Sequence, residues 1–345
     1  MFRGYGGRSE PGDNPFFQLK LAVLRGEIGA WSSLLSDPEP PAARYCAVRN
    51  RFKKRELSSL SECAWLVLTL PVMPELPEVE IVRRSLEPHM VGSRVVEVEA
   101  RAIKLREGIT PAHWSDRILG TRVIALERRG KYLIAKAERA AALFHLGMSG
   151  RMVLRRPEEP RAPHTHLVLR FDHGIEVRFI DPRRFGAAVV MDLDRLEAHS
   201  GLASLGPDPL DGDVEGALRA AGHSRSPIRS VLLDQSVLAG LGNIYANEAL
   251  SRAGISPLRR ASAIAPRRMR ALADAIRAVL TDALEAGGTT LRDGGFVNAA
   301  GEGGYFSVNL AVYGREGEPC LRCGGSIVRR VLSGRSVFYC PKCQR

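Results

Sequence analysis

The period of the apolar positions changes twice along this chain. Leu76, Val79, Val82 and Leu86 recur at helical spacing, with Pro77 tolerable in a first turn and Gly92 a natural stop, so one amphipathic helix is expected there. Short β-rich runs follow at Val95 to Val98, Val123 to Leu126, Tyr132 to Ala135, Leu143 to Leu146, Leu167 to Phe171 and Ile175 to Phe179, separated by turn residues. Their spacing predicts a β-sandwich. Beyond about Pro207 the period becomes helical again, over Val231 to Leu238, Asn243 to Ala253 and Pro266 to Ala286, the last with Met269, Leu272, Ile276, Val279 and Leu284 on one face. Gly287 to Gly304 is rich in glycine with little to bury, which predicts a mobile loop.

Residues 1–72 sustain no period. Gly4, Gly6, Gly7, Pro11, Gly12 and Pro15 punctuate the start and Pro38, Pro40 and Pro41 the middle, a poor composition for a folding unit. Arg51, Lys53, Lys54 and Arg55 before the apolar stretch Cys63 to Val72 imitate a secretory signal, but one set too far into the chain. The segment reads as a flexible extension, or as sequence upstream of the start codon the cell uses. The expected fold class is multi-domain α+β. Its parts are the extension (1–72), a β-sandwich domain with flanking helices (73–205), a helical domain ending in the mobile loop (206–305) and a small cysteine-bearing domain (306–345).

Composition narrows the classes of function. In 345 residues, 50 Lys plus Arg stand against 38 Asp plus Glu, a formal charge of +12, which suggests a polyanionic partner, most often nucleic acid. With 45% hydrophobic and 26% charged residues, wholesale disorder is excluded. No apolar run approaches the roughly 20 residues of a membrane-spanning helix, so no membrane role is expected.

Six cysteines are too few for a disulfide scaffold, and four stand as Cys320-x2-Cys323 and Cys340-x2-Cys343. Two such knuckles supply four thiolates to one structural zinc ion; paired disulfides or a redox dithiol are the alternative. Ile327 to Val331 and Ser336 to Tyr339 read as strands around the turn Ser333-Gly334-Arg335, a zinc ribbon. A segment this short cannot bury enough apolar surface alone, so metal binding should supply much of its stability.

Met73-Pro74-Glu75-Leu76-Pro77-Glu78-Val79-Glu80, read with the ribbon, resembles the start of a bacterial formamidopyrimidine-DNA glycosylase. His145-Leu146-Gly147-Met148-Ser149-Gly150, Asp181-Pro182-Arg183-Arg184-Phe185-Gly186 and Gly240-Leu241-Gly242-Asn243-Ile244-Tyr245-Ala246 resemble that family's internal signatures in the same order. The resemblance covers 73–345. It implies a bifunctional glycosylase and AP lyase that excises oxidised purines such as 8-oxoguanine and formamidopyrimidines from double-stranded DNA and cuts the strand by successive β- and δ-elimination. It implies also a β-sandwich, a helix-two-turns-helix domain and a zinc ribbon, in a monomer of the bacterial cytoplasm associated with the nucleoid.

Schiff-base chemistry at a sugar C1′ needs a neutral amine, and an α-amino group is roughly 10 to 15% neutral at pH 7. A terminal proline is a secondary amine whose adduct is a permanently cationic iminium, so Pro74 is the expected nucleophile once Met73 is gone; within a longer chain its nitrogen is an unreactive amide. By resemblance Glu75 is the general acid and base, Lys131 contacts phosphate and assists the first elimination, and Arg335 at the ribbon tip assists the second. An acidic first turn or a lone lysine would otherwise be ordinary dipole and surface chemistry.

Base chemistry requires extrusion from the stack, and the gap must be filled. Met148 suits a wedge, Phe185 a plate beside the orphaned base and Arg183 a fork for the unpaired cytosine. Without the family signatures, core packing would be preferred for Met148 and Phe185. His164 and Arg225 match DNA-contacting positions, and Asn243 is expected to cap a helix whose free N–H groups favour a phosphate. Family members often carry lysine where this chain has Arg225 and Arg229. Two other readings remain open at this point, an endonuclease VIII-like enzyme for oxidised pyrimidines and a silent DNA-binding homologue in which Pro74 stays internal.

Overall fold

The computed structural model describes residues 73–101, 103–289, 298–301 and 309–345. The extension over 1–72 and most of the loop expected between Gly287 and Gly304 lie outside the described residues. Everything described below belongs to one unit beginning at Leu70.

Helix α1 (Leu76–Met90) starts where Glu75 and Glu78 form a reciprocal capping box, each side chain accepting from the other's end of the first turn, with Pro77 inside that turn. Its apolar face is the one the spacing predicts. Past its end the chain turns at Gly92, φ +84, before strand β1 (Val95–Ala100) begins. Helix α2 (Pro111–Ile118) follows, with Pro111 in its first turn and Trp114 and Ile118 buried; its single apolar turn gave the sequence no period to detect.

Seven further strands complete two antiparallel sheets. They are β2 (Val123–Arg129), β3 (Tyr132–Ala137), β4 (Ala140–His145), β5 (Arg151–Arg155), β6 (Thr165–Phe171), β7 (Glu176–Ile180) and β8 (Ala187–Asp192). One sheet runs β1-β6-β7-β5 and the other β2-β3-β4-β8. Leu169, Val177 and Phe179 of the first meet Leu126, Leu133 and Phe144 of the second, together with Val79, Val82 and Leu86 of α1 and Trp114 of α2. Alternation then places Tyr132, Ile134, Ala141 and Leu143 on the other face of the second sheet, under Leu196 and Leu202, the latter in the single-turn helix α3 (Ser200–Ala203). Strands β5 and β8 were not anticipated: each has charged or small residues diluting its apolar run.

The helical part comprises α4 (Val214–Ala221), α5 (Ile228–Leu232), α6 (Asn243–Arg252) and α7 (Pro266–Glu285). The helix expected over Val231 to Leu238 is corrected: α5 begins earlier, at Ile228, and stops at Leu232, because Asp234 accepts from Ser236 N–H and turns the chain. Leu272, Ile276, Val279 and Leu280 of α7 pack on Ile244, Tyr245 and Leu250 of α6 in a second core. Leu76, the first residue of α1, belongs to this second core rather than to the sandwich. Finally, β9 (Val328–Leu332) and β10 (Arg335–Tyr339) form the ribbon hairpin, one residue displaced from the expected bounds. Its two-residue turn has Ser333 at φ 50 and Gly334 at φ 74, the paired left-handed residues of a type I′ turn.

Among the described residues no helix is long and apolar enough to cross a membrane.

Candidate active site

Three backbones meet at the start of α1, and small residues make the approach possible. The Leu76 N–H donates to the Gly240 carbonyl at 3.1 Å. A Cβ on Gly240, φ +88, would lie 2.8 Å from Leu76 Cβ, and one on Gly242 would lie 2.2 Å from Glu75 Cδ. Gly130, φ +56 in the two-residue β2–β3 turn, packs on Ala239 and Gly240 and so carries Lys131 to the same place.

The Glu75 carboxylate occupies the N-terminus of α6: its Oε1 accepts from Ile244 N–H at 2.9 Å and its Oε2 from Tyr245 N–H at 3.4 Å. The anion seated on this helix end is therefore a side chain of the protein, which satisfies donors that the helix cannot. Asn243 was expected to cap α6, and this is corrected: Gly242 is the cap, and Asn243 is the first helical residue. Glu78 lies deeper. Its Oε2 accepts from the Glu75 N–H at 2.9 Å, and its Oε1 from the Thr289 N–H at 2.9 Å and from the Tyr245 hydroxyl, which is also 2.8 Å from Thr289 Oγ1.

Burial sets the proton affinities here. It pushes the Glu75 carboxyl up to about 7, against the opposing pull of the Lys131 ammonium and the two α6 N–H groups. Burial likewise raises Glu78 and lowers Lys131. Lys131 is thus not a solvated charge before a strand. A carboxyl that titrates near neutrality and an amine whose charge is weakened, side by side, can exchange protons with a reacting group at physiological pH. Pro74 immediately precedes this pair, its nitrogen in peptide linkage to Met73 in the full chain.

A second cluster holds the residues expected to fill the helix. Asp181, fully buried, accepts from Ser149 Oγ at 2.6 Å and from Gly186 N–H at 2.7 Å. Its N–H donates to the His164 carbonyl at 3.1 Å, and its carbonyl lies 2.9 Å from His166 Nε2. One carboxylate therefore ties the Gly147–Gly150 turn, with half-buried Met148, to the loop bearing Arg183 and Phe185. Phe185 is 49% exposed, which rules out core packing, and the Arg183 guanidinium lies 5.0 Å from its ring centre. His145 beneath this platform accepts from Gly147 N–H at 3.0 Å on Nδ1, and burial drives its imidazole down to about 4, so it stays neutral. The non-glycine residues with left-handed backbone among those described are His164 (φ 64), Arg184 (φ 60) and Ser333 (φ 50), all in loops that carry expected DNA-binding side chains.

Arg335 is exposed beside the ribbon turn, and Arg225 is exposed in the loop before α5. The Asn243 side chain faces the ribbon: Nδ2 donates to the Ser336 carbonyl at 3.1 Å. Sequence reasoning did not find Tyr245, Asp181, Ser149 or His145 as site residues, although all four lie inside the motifs quoted above. It gave Arg229 no site role.

Cys320, Cys323, Cys340 and Cys343 place their sulfurs within 4.8 Å of one another, with Cys320 to Cys343 at 3.9 Å and Cys323 to Cys340 at 3.5 Å. A tetrahedron of sulfurs about 2.3 Å from zinc has edges of roughly 3.8 Å, so the four fit one structural ion.

Three family models match in order along the chain. They are the formamidopyrimidine-DNA glycosylase N-terminal domain over 73–188, the H2TH domain of the same family over 205–294, and the zinc finger found in FPG and IleRS over 317–345. A formamidopyrimidine-DNA glycosylase of Dinoroseobacter shibae is 47% identical over 288 residues, covering 79% of this chain and 100% of that one. The crystal structure of the MutM (Fpg) protein from Thermus thermophilus is similar at TM-score 0.70 and 40% identity, covering 79% of this chain and 98% of that one. A Lactococcus lactis Fpg variant bound to Fapy-dG containing DNA gives TM-score 0.73 at 32% identity, covering 79% of this chain and 100% of that one.

Proposed function

The chain belongs to the formamidopyrimidine-DNA glycosylase family, and from that membership and the geometry at Glu75 we propose that it excises oxidised purines from DNA in base excision repair and cleaves the strand at the resulting site. The observation that carries the mechanism is the carboxyl of Glu75, poised near neutrality one residue after Pro74 and beside Lys131.

With Met73 removed, Pro74 offers a secondary amine. Its lone pair attacks C1′ of the extruded nucleotide, the bond to the damaged base breaks, and the leaving base takes its electron pair together with a proton relayed through Glu75. Once the amine proton is lost, the nitrogen lone pair expels O4′, which takes a proton by way of Glu75 as the C1′–O4′ bond breaks and the sugar ring opens, and the resulting iminium acidifies C2′–H. Abstraction of that proton expels the 3′ phosphate, and a second elimination expels the 5′ phosphate. Lys131 neutralises charge at the first elimination and Arg335 at the second. Met148, Phe185 and Arg183 fill the vacated position and hold the partner strand. His164 and Arg225 form the flanking phosphate-binding face; Asn243, expected with them, turns its side chain to the ribbon instead, the α6 end that it begins being taken by Glu75. The enzyme works as a monomer on the bacterial chromosome. While Met73 acylates Pro74, the same chain binds DNA without cutting it.

The test is intact mass paired with borohydride trapping on a duplex carrying 8-oxoguanine opposite cytosine. Chains beginning at Pro74 are expected to crosslink and chains retaining Met73 are not. Equal crosslinking by a chain of confirmed full length would remove Pro74 as the nucleophile.

A further inference from the structure

Arg229 is a buried cation to which the chemistry above gives no task. It is the second residue of α5 and 1% exposed. Its Nη1 donates to the Leu332 carbonyl at 3.0 Å and its Nη2 to Asn243 Oδ1 at 2.6 Å. Asn243 passes the connection on, its Nδ2 donating to the Ser336 carbonyl. Leu332 is the last residue of β9, paired with Arg335, and Ser336 is the second of β10, paired with Val331. Both strands are therefore gripped at the mouth of the Ser333-Gly334 turn, one by Arg229 and the other by Asn243, and the two grips hold each other. Farther along, Asn247 accepts from Phe338 N–H at 2.8 Å, so β10 is fixed again four residues beyond the turn's end.

We infer that Arg229 is a positioning residue which, acting through Asn243 and the two hairpin carbonyls, sets where the ribbon tip presents Arg335. The guanidinium suits this task because its planar fork donates in two fixed directions at once. Mutual attraction does not bring the two arginines together. Burial and the neighbouring Arg335 both depress the proton affinity of Arg229, and its Nε makes no hydrogen bond among the described residues. A cation kept there at a cost, and turned inward from solvent, serves geometry rather than direct attraction of DNA. The inference rests on the reading that Arg335 acts at the second elimination.

The experiment is a double-mutant comparison under single turnover on an abasic-site duplex, in protein that traps under borohydride, reading the ratio of second- to first-elimination product. Arg229→Met, which keeps the length of the side chain and removes both donated hydrogen bonds, is expected to lower that ratio at least tenfold while zinc content and trapping yield stay native, and to lower it no further when Arg335 is already alanine. A native ratio in Arg229→Met, or the same fold loss in both backgrounds, overturns the inference and leaves the Arg335 reading standing. A native ratio in Arg335→Ala overturns that reading, and this inference with it. If Arg229→Met sheds zinc, Asn243→Ala, which removes the second grip without altering a charge, carries the same comparison. Zinc loss in both variants makes the ring a brace for folding and overturns the positioning role.

Discussion

Glu75 is held at a protonation boundary by forces of opposite sign. Burial favours the neutral acid, while Lys131 and the two α6 N–H groups favour the anion, and the balance lies at about 7 against an ordinary 4.5. Between those values the folded protein keeps a proton that the unfolded chain has released, so this group's contribution to stability falls as pH rises through the window. The shift is worth on the order of 3 kcal/mol. Glu75→Gln should therefore flatten the decline of unfolding free energy between about pH 4.5 and pH 7, measured by urea denaturation at a series of pH values, while abolishing excision. Glu78, raised by the same burial, leaves a residual slope in the variant. Parallel pH profiles for the two proteins would show that Glu75 is not perturbed by folding.

At the scale of elements, the site exists because a loop of glycines lets α1, α6 and the β2–β3 turn touch. Gly242 is the tightest of these points. In Gly242→Ala the added Cβ must displace the Glu75 carboxylate from the α6 N-terminus, and overpacking of this kind costs about 1–3 kcal/mol. Excision should fall by about a hundredfold or more as the proton relay is unseated, while zinc content stays native; single-turnover kinetics check the first and metal analysis the second. The elements themselves were largely legible in the sequence. Helix α1 and helix α7 carry a full apolar period, and the Ser333-Gly334 turn carries its own conformational signature. Helix α2 has one apolar turn and β5 and β8 have broken runs, so only packing against neighbours specifies them. The metal site was legible from residue type and spacing alone, through its four cysteines, whereas Glu75 and Lys131 were reached only through the family resemblance. The site was not legible where function depends on long-range pairing. Asp181 joining two loops, and Arg229 reaching Leu332 across 103 positions, are products of topology and leave no local pattern.

At the scale of the whole molecule, the ribbon is fastened to the helical part by the hydrogen bonds of Arg229, Asn243 and Asn247 to its two strands. Cys340→Ser should reduce zinc below one ion per chain and weaken binding to lesion-bearing duplex by tenfold or more, as read by metal analysis and equilibrium titration at fixed salt. Full metal retention with native affinity would detach the ribbon from DNA recognition. Helix α1 carries a different linkage. Leu76 is seated among the apolar side chains of the helical part, whereas Val79, Val82 and Leu86 are seated between the sheets. The reactive end of the protein is thus the tip of a beam clamped in two separate foundations. Over evolutionary time, a change of side-chain volume deep in either foundation displaces the same tip, so substitutions in the two interiors are selected jointly. Chimeras that exchange one interior between relatives should need compensating changes in the other to recover full turnover.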